Sequence, residues 1–399
     1  MVIYLYTAVP PSSFLEKVHR SLNDKVKVKC IRLLNMPCWR FRYKLLGSVY
    51  HYNDFKHSNV GDVALSQGIK SQLHTIPFFC DAEFRYIQWG TIDQTMIQQI
   101  NDSTALFVIA GSGYIHLDHN VEQQLNPLFI RDQPLIKNIK VSRISYGIGL
   151  NCNLANGQPC SKLNEASSAS FSDFCHSLSL ISVRDKLAYS LVRSFNKPCA
   201  LMLDPAFFLG TNKTLSTNTD KVLKVGLNLA LHGPNSFVLF NEKAKEIIKG
   251  LHTYQTHSKC EYIYFVHSHS ELYVVELLKL SGIKISAIVT GSPDKLLHEY
   301  ININMHISQM MHSAILAMSF GTPCINLAYD VKSIEMYKLM DLEEYYVPIH
   351  SISGCALEAK IELLVNNLKM VQNKIAIKKR EYEIKKQAFL DSIEKLLSD

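Results

Sequence analysis

No C-x-x-C pair occurs among the ten cysteines, which fall at positions 30, 38, 80, 152, 160, 175, 199, 260, 324 and 355. That excludes the commonest zinc and dithiol patterns. Several cysteines sit in apolar segments, such as Cys199 in PCALML and Cys324 in PCINLA. They are expected to be small buried residues in a reducing compartment, not a disulfide frame. No apolar run approaches the ~18 residues of a membrane-spanning helix. The opening MVIYLYTAV has no basic region before it and reads as a first strand. The expected location is therefore the cytoplasm. A G-x-G-x-x-G fingerprint is also missing, so a dinucleotide is not implied. No His, Cys, Asp and Glu spacing argues for a metal, and His267-Ser-His269 reads as loop. Low-complexity tracts and short-period repeats are lacking too.

What remains is ordinary globular composition, 47% hydrophobic and 19% charged, in 399 residues. That length exceeds one ordinary core and predicts two domains. The formal net charge is +7. Such a balance fits an anionic small substrate, a membrane surface or nucleic acid, or simply a soluble surface.

Apolar runs without clean alternation recur along the chain, interleaved with helical stretches. Candidate strands are Val2–Ala8, Val26–Leu33, Ala105–Ala110, Lys140–Gly147, Leu178–Val183 and Ala200–Leu203. A second series follows at Leu223–Leu229, Glu261–His267, Ile283–Val289, Ile301–His306 and Cys324–Ala328. Runs of this kind suit strands buried on both faces of parallel sheets. The polar stretch TNKTLSTNTDK, Thr211–Lys221, reads as a linker between the series. The expected fold is therefore α/β, with two Rossmann-like domains facing a cleft. Residues 1–212 would form the first domain, 222–355 the second, and 356–399 a basic C-terminal helix. That helix carries IAIKKREYEIKKQ and reads as an amphipathic helix packed on the second domain. The alternative is a basic surface that meets anionic lipid; the cluster Trp39 to Lys44 suits the same surface or an acceptor site.

Five stretches of the first half carry candidate chemistry. In HSNVGDVALSQGIKSQL, Asn59, Gly61 and Asp62 are expected on a loop opening a helix, with Gly61 permitting close approach of an anion or a sugar. In ALFVIAGSGYIHLD, a strand runs into Gly111-Ser112-Gly113, the position where α/β crevices bind ligands. ISYGIGLN repeats the theme with Gly147 and Gly149. In LISVRDKLAYSLV, Arg184 and Asp185 end a strand and suit a buried pair, and in LMLDPAFFLG, Asp204-Pro205 closes the domain. In the second half, MHISQMMHSAILAMSFGTPCINLAYDVK predicts a helix over 309–319, N-capped by Ser308 and stopped by Gly321-Thr322-Pro323. His312 then lies in the first turn, where the positive helix end favours a neutral imidazole able to act as general base.

Taken in order, N-x-G-D, the glycine turn, Y-G-I-G, S-V-R-D, D-P-A-F and H-x(4)-A-x(3)-G-x-P followed by Y-D-x-K resemble the polysaccharide pyruvyl transferases, from about Tyr50 to Leu342. The resemblance implies a GT-B-like fold and transfer of a carboxyethylidene group from phosphoenolpyruvate to two hydroxyls of a sugar. Protonation of the methylene carbon would make its neighbour oxocarbenium-like; a hydroxyl adds, phosphate leaves, and a second hydroxyl closes the ketal. It further implies His312 as the acid/base, with Lys332, Tyr329, Ser308, His232 and Asn228 on the donor side. Asn59, Gly61, Asp62, Gly111, Ser112, Gly113 and Arg184 would lie on the acceptor side. Phosphoenolpyruvate would be a co-substrate and no further cofactor is implied. The acceptor would be a glycan or lipid-linked saccharide, with a peripheral contact at the inner membrane face and no nucleic acid.

Two positions depart from that pattern. Met310 stands where R-x-H would place an arginine, and VGLNLALHG offers Asn228 and His232 where another arginine is usual. Arginine's planar fork binds carboxylate or phosphate in two places, and methionine cannot. Lys332, His232, His306 and Arg184 are the candidate substitutes. A GT-B glycosyltransferase using a nucleotide-sugar donor, or a non-catalytic glycan-binding relative, are the alternatives.

Overall fold

Strands whose side chains are apolar on both sides need cover on both faces, and helices supply it here. The computed structural model describes residues 1–8, 60–117, 124–152, 163–210, 222–229, 236–268, 271–291 and 293–398. Asn59, His232, the linker Thr211–Lys221, the expected strand Val26–Leu33 and the cluster Trp39 to Lys44 lie outside the described residues.

The first half contains β1 (Val2–Thr7), α1 (Val60–Leu73), β2 (Glu83–Gln88), α2 (Gln94–Ser103), β3 (Thr104–Ala110), β4 (Gly113–Leu117), α3 (Pro127–Ile136), β5 (Ser142–Cys152), α4 (Glu165–Ser177), β6 (Leu180–Val183), α5 (Lys186–Ser194) and β7 (Ala200–Leu201). The second contains β8 (Leu223–Asn228), α6 (Ser236–His257), β9 (Cys260–Phe265), α7 (Leu272–Leu280), β10 (Ile285–Val289), α8 (Pro293–Tyr300), β11 (Met305–Ser308), α9 (Met311–Ser319), β12 (Cys324–Ala328), α10 (Val331–Leu339) and β13 (Tyr346–Pro348). Helices α11 (Gly354–Asn366) and α12 (Leu368–Ser398) follow.

The first sheet has seven strands in the order β2-β1-β3-β5-β6-β7, with β4 paired to β5; the second has six, ordered β10-β9-β8-β11-β12-β13. All pairs between these strands are parallel. Counted within its own half, the second sheet runs 3-2-1-4-5-6, the doubly wound order, whose switch point lies between β8 and β11. The chain thus has the expected α/β class, with two Rossmann-like halves. Three of its strands escaped the apolar-run criterion: β4 follows directly on the glycine turn, and the other two are edge or short strands. Edge strand β2, EFRYIQ, exposes Glu83 and Arg85, and β13 is only three residues long. The strand expected from Ile301 begins only at Met305, after a turn.

Side-chain alternation divides the first sheet's cover. Ile3, Leu5, Leu106, Val108 and Ala110 enter one core, while Tyr4, Tyr6, Phe107 and Ile109 enter another on the opposite face. The first of these cores is closed by the far end of the chain. Phe389, Leu390 and Ile393 of α12 pack in it, and the Tyr146 and Phe389 rings meet edge-on with centroids 5.3 Å apart. Nearer its start, α12 puts Val371, Ile375 and Tyr382 into the core of the second half. The expectation of one tail helix confined to the second domain is therefore corrected: the tail breaks at Asn367, and α12 crosses from one half to the other. Its buried apolar positions, Val371, Ile375, Tyr382, Phe389 and Ile393, recur at four or seven residues on one face, which fastens it to both bodies.

Its lysines are also engaged locally. Lys378 pairs with Asp341 and Glu381, Lys385 with Glu381, and Lys386 with Glu383. Lys379 donates to the carbonyls of Gly210 and Ser319, joining the end of the first half to the end of α9. No helix among the described residues is long and apolar enough to cross a membrane. Cys80, Cys175, Cys199, Cys260, Cys324 and Cys355 are free; Cys324 is buried as expected, Cys199 is only partly buried, and Cys80 and Cys355 are exposed.

Candidate functional site

The two halves meet through α1 and the short 3-10 turn Pro205–Phe208. Val60, Ala64, Leu203, Ala206 and Phe207 of the first half belong to the same apolar cluster as the second half's sheet. A narrow pocket opens at this seam. Arg184, Asp185, Leu203, Asp204 and Phe207 line it from the first half, and Met311, Ile315, Lys332, Met336 and Leu339 from the second.

Asp204 stands at its centre. It N-caps the 3-10 turn, and Oδ1 accepts the Ala206 N–H at 3.0 Å. That leaves Oδ2 to accept Arg184 Nη1 at 2.5 Å and to approach His312 Nε2 at 3.4 Å. Burial works against the carboxylate, but Arg184 and His312 beside it hold its carboxyl well below the usual range. Arg184 Nη1 is itself 3.5 Å from His312 Nε2. One imidazole nitrogen therefore faces an acceptor and a donor together. With a proton on Nε2 it donates to Asp204; without one it accepts from Arg184. A group that is satisfied in both states suits proton transfer in either direction.

Asp330 repeats the Asp204 device. It N-caps α10 through Oδ1 to the Ser333 N–H, and its Oδ2 lies 2.9 Å from Lys332 Nζ. Lys332 also sits over the Tyr329 ring, 5.6 Å from its centroid. Burial opposes its charge, yet Asp330 and Tyr329 push its pKa above the ordinary lysine range. Burial drives the Tyr329 hydroxyl up to about 12. Lys332 is thus a fixed cation with 19% of its side chain exposed, not a free surface lysine.

Several expectations need correction. Ser308 is not the helix cap: it ends β11, its hydroxyl donates to the Met310 carbonyl, and α9 starts at Met311 with Met310 as an N-cap that forms no side-chain bond. His312 remains in the first turn, but its nearest charged neighbours come from across the seam. Asn228 is wholly buried; its amide donates to the Phe265 carbonyl and Glu271 and accepts the Met310 N–H, so it braces the switch point and does not reach the pocket. Arg184 pairs with Asp204 and not with its neighbour Asp185. Asp185 caps α5 and accepts the N–H groups of Ala188 and Leu150, with burial pushing its carboxyl up to about 6.

A close approach is expected at Gly61 alone, by an anion or a sugar; the group that faces it, like those facing Gly111, Gly113 and Gly149, belongs to the chain itself. Helix α1 already includes Gly61 and Asp62, which therefore do not lie on a loop. A Cβ on Gly61 would meet the His312 side chain, one on Gly111 would meet Leu65, and one on Gly113 would meet Asn151. On Gly149 it would lie 2.5 Å from Arg184 Nε, so this glycine makes room for the site's guanidinium. Gly111 and Ser112 both adopt left-handed backbone, φ 55° and 65°, and the turn Gly111 to Gly113 does not line the pocket. Asp62 remains near the charged group. Burial raises its carboxyl above the ordinary range, against the pull of His312, Arg184 and Lys332.

Sequence reasoning missed Asp204 and Asp330 as members of the site. The signal was present in D-P-A-F and Y-D-x-K, where each aspartate precedes a helical turn. A further polar chain was unforeseen. His267 Nε2, Tyr300 Oη, Ser313 Oγ and His306 Nε2 are linked at 2.8, 2.7 and 2.8 Å behind α9. Burial pushes both of these histidines down to about 3, so His306 is a neutral core residue and no substitute cation for the missing arginine.

The fold and this seam define a two-domain α/β protein with an acid/base-capable histidine and two held cations between its halves. The chain belongs to the polysaccharide pyruvyl transferase family, whose pattern its residues 18–331 match. A curated relative, the amylovoran biosynthesis protein AmsJ of Erwinia amylovora, is 29% identical over 73 residues, a stretch covering 18% of each chain. Similar solved structures include the UDP co-structure of MnaA from S. aureus, with a TM-score of 0.46 at 10% identity over 78% of this chain and 88% of that one. The calicheamicin glycosyltransferase CalG4 gives 0.46 at 12% identity over 86% and 96% of the two chains. UDP-GlcNAc 2-epimerase from Methanocaldococcus jannaschii gives 0.46 at 13% over 74% and 89%.

Proposed function

We propose that this chain transfers a pyruvate ketal from phosphoenolpyruvate to a sugar of a glycan or glycolipid precursor, with His312 as its acid/base. The observation that carries the reading is His312 Nε2, 3.4 Å from Asp204 and 3.5 Å from Arg184 in a pocket shared with Lys332. The reaction consumes one proton at the methylene carbon and releases two from the sugar hydroxyls, the second leaving with phosphate. A nitrogen stable with or without its proton meets that need. Arg184 and Lys332 hold the phosphate and carboxylate of the donor, replacing the arginine that Met310 displaces. Asp204 keeps Arg184 and His312 in register. Asp62, at the first-half side of this charged group, faces the acceptor hydroxyls. For the membrane contact, the available face of α12 is Met370, Ile377 and Ile384, all exposed, with exposed Arg380 between them.

The test is phosphate release from phosphoenolpyruvate with galactose-, glucose- and mannose-terminated acceptors, alongside thermal shifts with phosphoenolpyruvate, nucleotides and nucleotide sugars. A true donor at about 100 times its dissociation constant adds ~2.7 kcal/mol of stability. Stabilisation by a nucleotide sugar alone would replace this reading with glycosyl transfer.

A further inference from the structure

The second half carries His312, yet the groups that define its ring come from the first: Asp204, Arg184 and Gly61. The first two are polar partners. The third is bare backbone, and its place in the contact calls for a physical reason.

A Cβ built on Gly61 would lie 2.4 Å from Nδ1, 2.6 Å from Cγ and 2.6 Å from Cβ of His312. Real Cβ atoms essentially never come that close to a non-bonded heavy atom. Contact with the His312 Cβ matters most, because turning the ring about χ1 leaves that atom where it is. Relief would need α9 to retreat from α1. Gly61 is not among the positive-φ glycines, so its backbone is one that any residue can adopt. Within a helix, alanine is intrinsically the better residue. The need for glycine therefore comes from what faces position 61.

Helix α1 is also fixed to the turn that carries Asp204. Gln72 Nε2 donates to the Pro205 carbonyl at 2.9 Å, and a Cβ on Gly68 would lie 2.4 Å from the same oxygen. Gly61 and Asp204 thus belong to one rigid unit, joined by α1 and Pro205. Docking this unit on α9 sets the ring's seat and its carboxylate partner in one step.

We propose that Gly61 is a positioning residue for His312: the uncovered first turn of α1 seats the imidazole so that Nε2 reaches Asp204 and Arg184. Its catalytic part rests on the acid/base reading of His312; the seat itself does not. Closure of the two halves and alignment of the histidine are then a single event. Any side chain at position 61 uncouples them.

The experiment compares wild type, Gly61→Ala and Asp204→Asn. Gly61→Ala is expected to lower kcat on phosphoenolpyruvate by ~10²-fold, the scale of a 1 Å misplacement, with KM changed far less. Independently of turnover, the ring ¹⁵N and ¹H resonances of His312 in Gly61→Ala should move in the direction seen in Asp204→Asn, because both substitutions separate Nε2 from the carboxylate. A glycine needed only for stability would alter the melting temperature and leave those resonances and kcat alone. If Gly61→Ala does not fold, Gly61→Ala/His312→Gly, which removes the opposing Cβ, should fold; failure of that rescue overturns the proposal. So does a folded Gly61→Ala with His312 resonances at their wild-type positions, or with unchanged kcat in an active protein. Should the wild type prove inactive on every acceptor, the resonances still decide whether the seat exists, while the pyruvyl-transfer reading falls separately.

Discussion

Asp204 Oδ2 and His312 Nε2 stand 3.4 Å apart across the seam between the two halves, and Arg184 Nη1 meets the same carboxylate oxygen at 2.5 Å. One oxygen thus links the first half's guanidinium to the second half's imidazole. Both side chains of the Arg184–Asp204 pair are about 95% buried, so the pair is not screened as a surface ion pair would be.

Removing Asp204 should therefore be costly. Asp204→Ala leaves Arg184 buried without its partner and is expected to lower stability by about 3–5 kcal/mol in urea unfolding. The pH dependence has a definite sign. The folded carboxyl of Asp204 lies below its unfolded value of about 4, so its contribution is complete above that value and disappears as pH falls through the folded one. Urea titrations from pH 7 down to pH 2 should show wild type losing this component on acidification and Asp204→Asn lacking it.

His312→Ala should reduce turnover by ~10²–10⁴-fold while circular dichroism and the melting transition show a folded protein. Loss of the fold together with activity would make the imidazole a structural group of the seam instead of the acid/base.

Lys332 has a different expected signature. Its ammonium is held by Asp330, whose other oxygen caps α10, so Lys332→Ala leaves the helix cap in place. Losing a charged contact worth about 1.5–3 kcal/mol should raise the apparent KM for phosphoenolpyruvate by ~10- to 100-fold with kcat little changed. An equal fall in kcat and kcat/KM would assign Lys332 to the transition state instead.

Phe389 tests the crossing helix. Its ring fills the first half's core although it belongs to the chain's last element. Phe389→Ala should cost about 3–5 kcal/mol, and hydrogen exchange should rise in β1 and β3, whose Leu5 and Val108 share that core. A loss of protection confined to the second half would contradict the crossing.

Much of this fold was legible because parallel strands buried on both faces are apolar throughout. ALFVIA and CINLA needed no further context. Edge strand β2 was not, since its outward Glu83 and Arg85 interrupt the apolar run. The site was legible in part. His312 stood out as a polar residue in the first turn of an apolar helix. Asp204 did not, because its role depends on residues from the far side of a seam that no local pattern encodes. The glycines show the limit most clearly. A sequence indicates that something approaches Gly61 closely, but only the packing of α1 against α9 identifies it as His312.

The most direct test of the account is the fate of phosphoenolpyruvate in the presence of the full chain and a panel of sugar acceptors, followed by phosphate release and by the ketal methyl signal on the acceptor. The account predicts one phosphate released per ketal formed with at least one acceptor, and loss of both signals together in His312→Ala. Undiminished phosphate release and ketal formation in His312→Ala would contradict it.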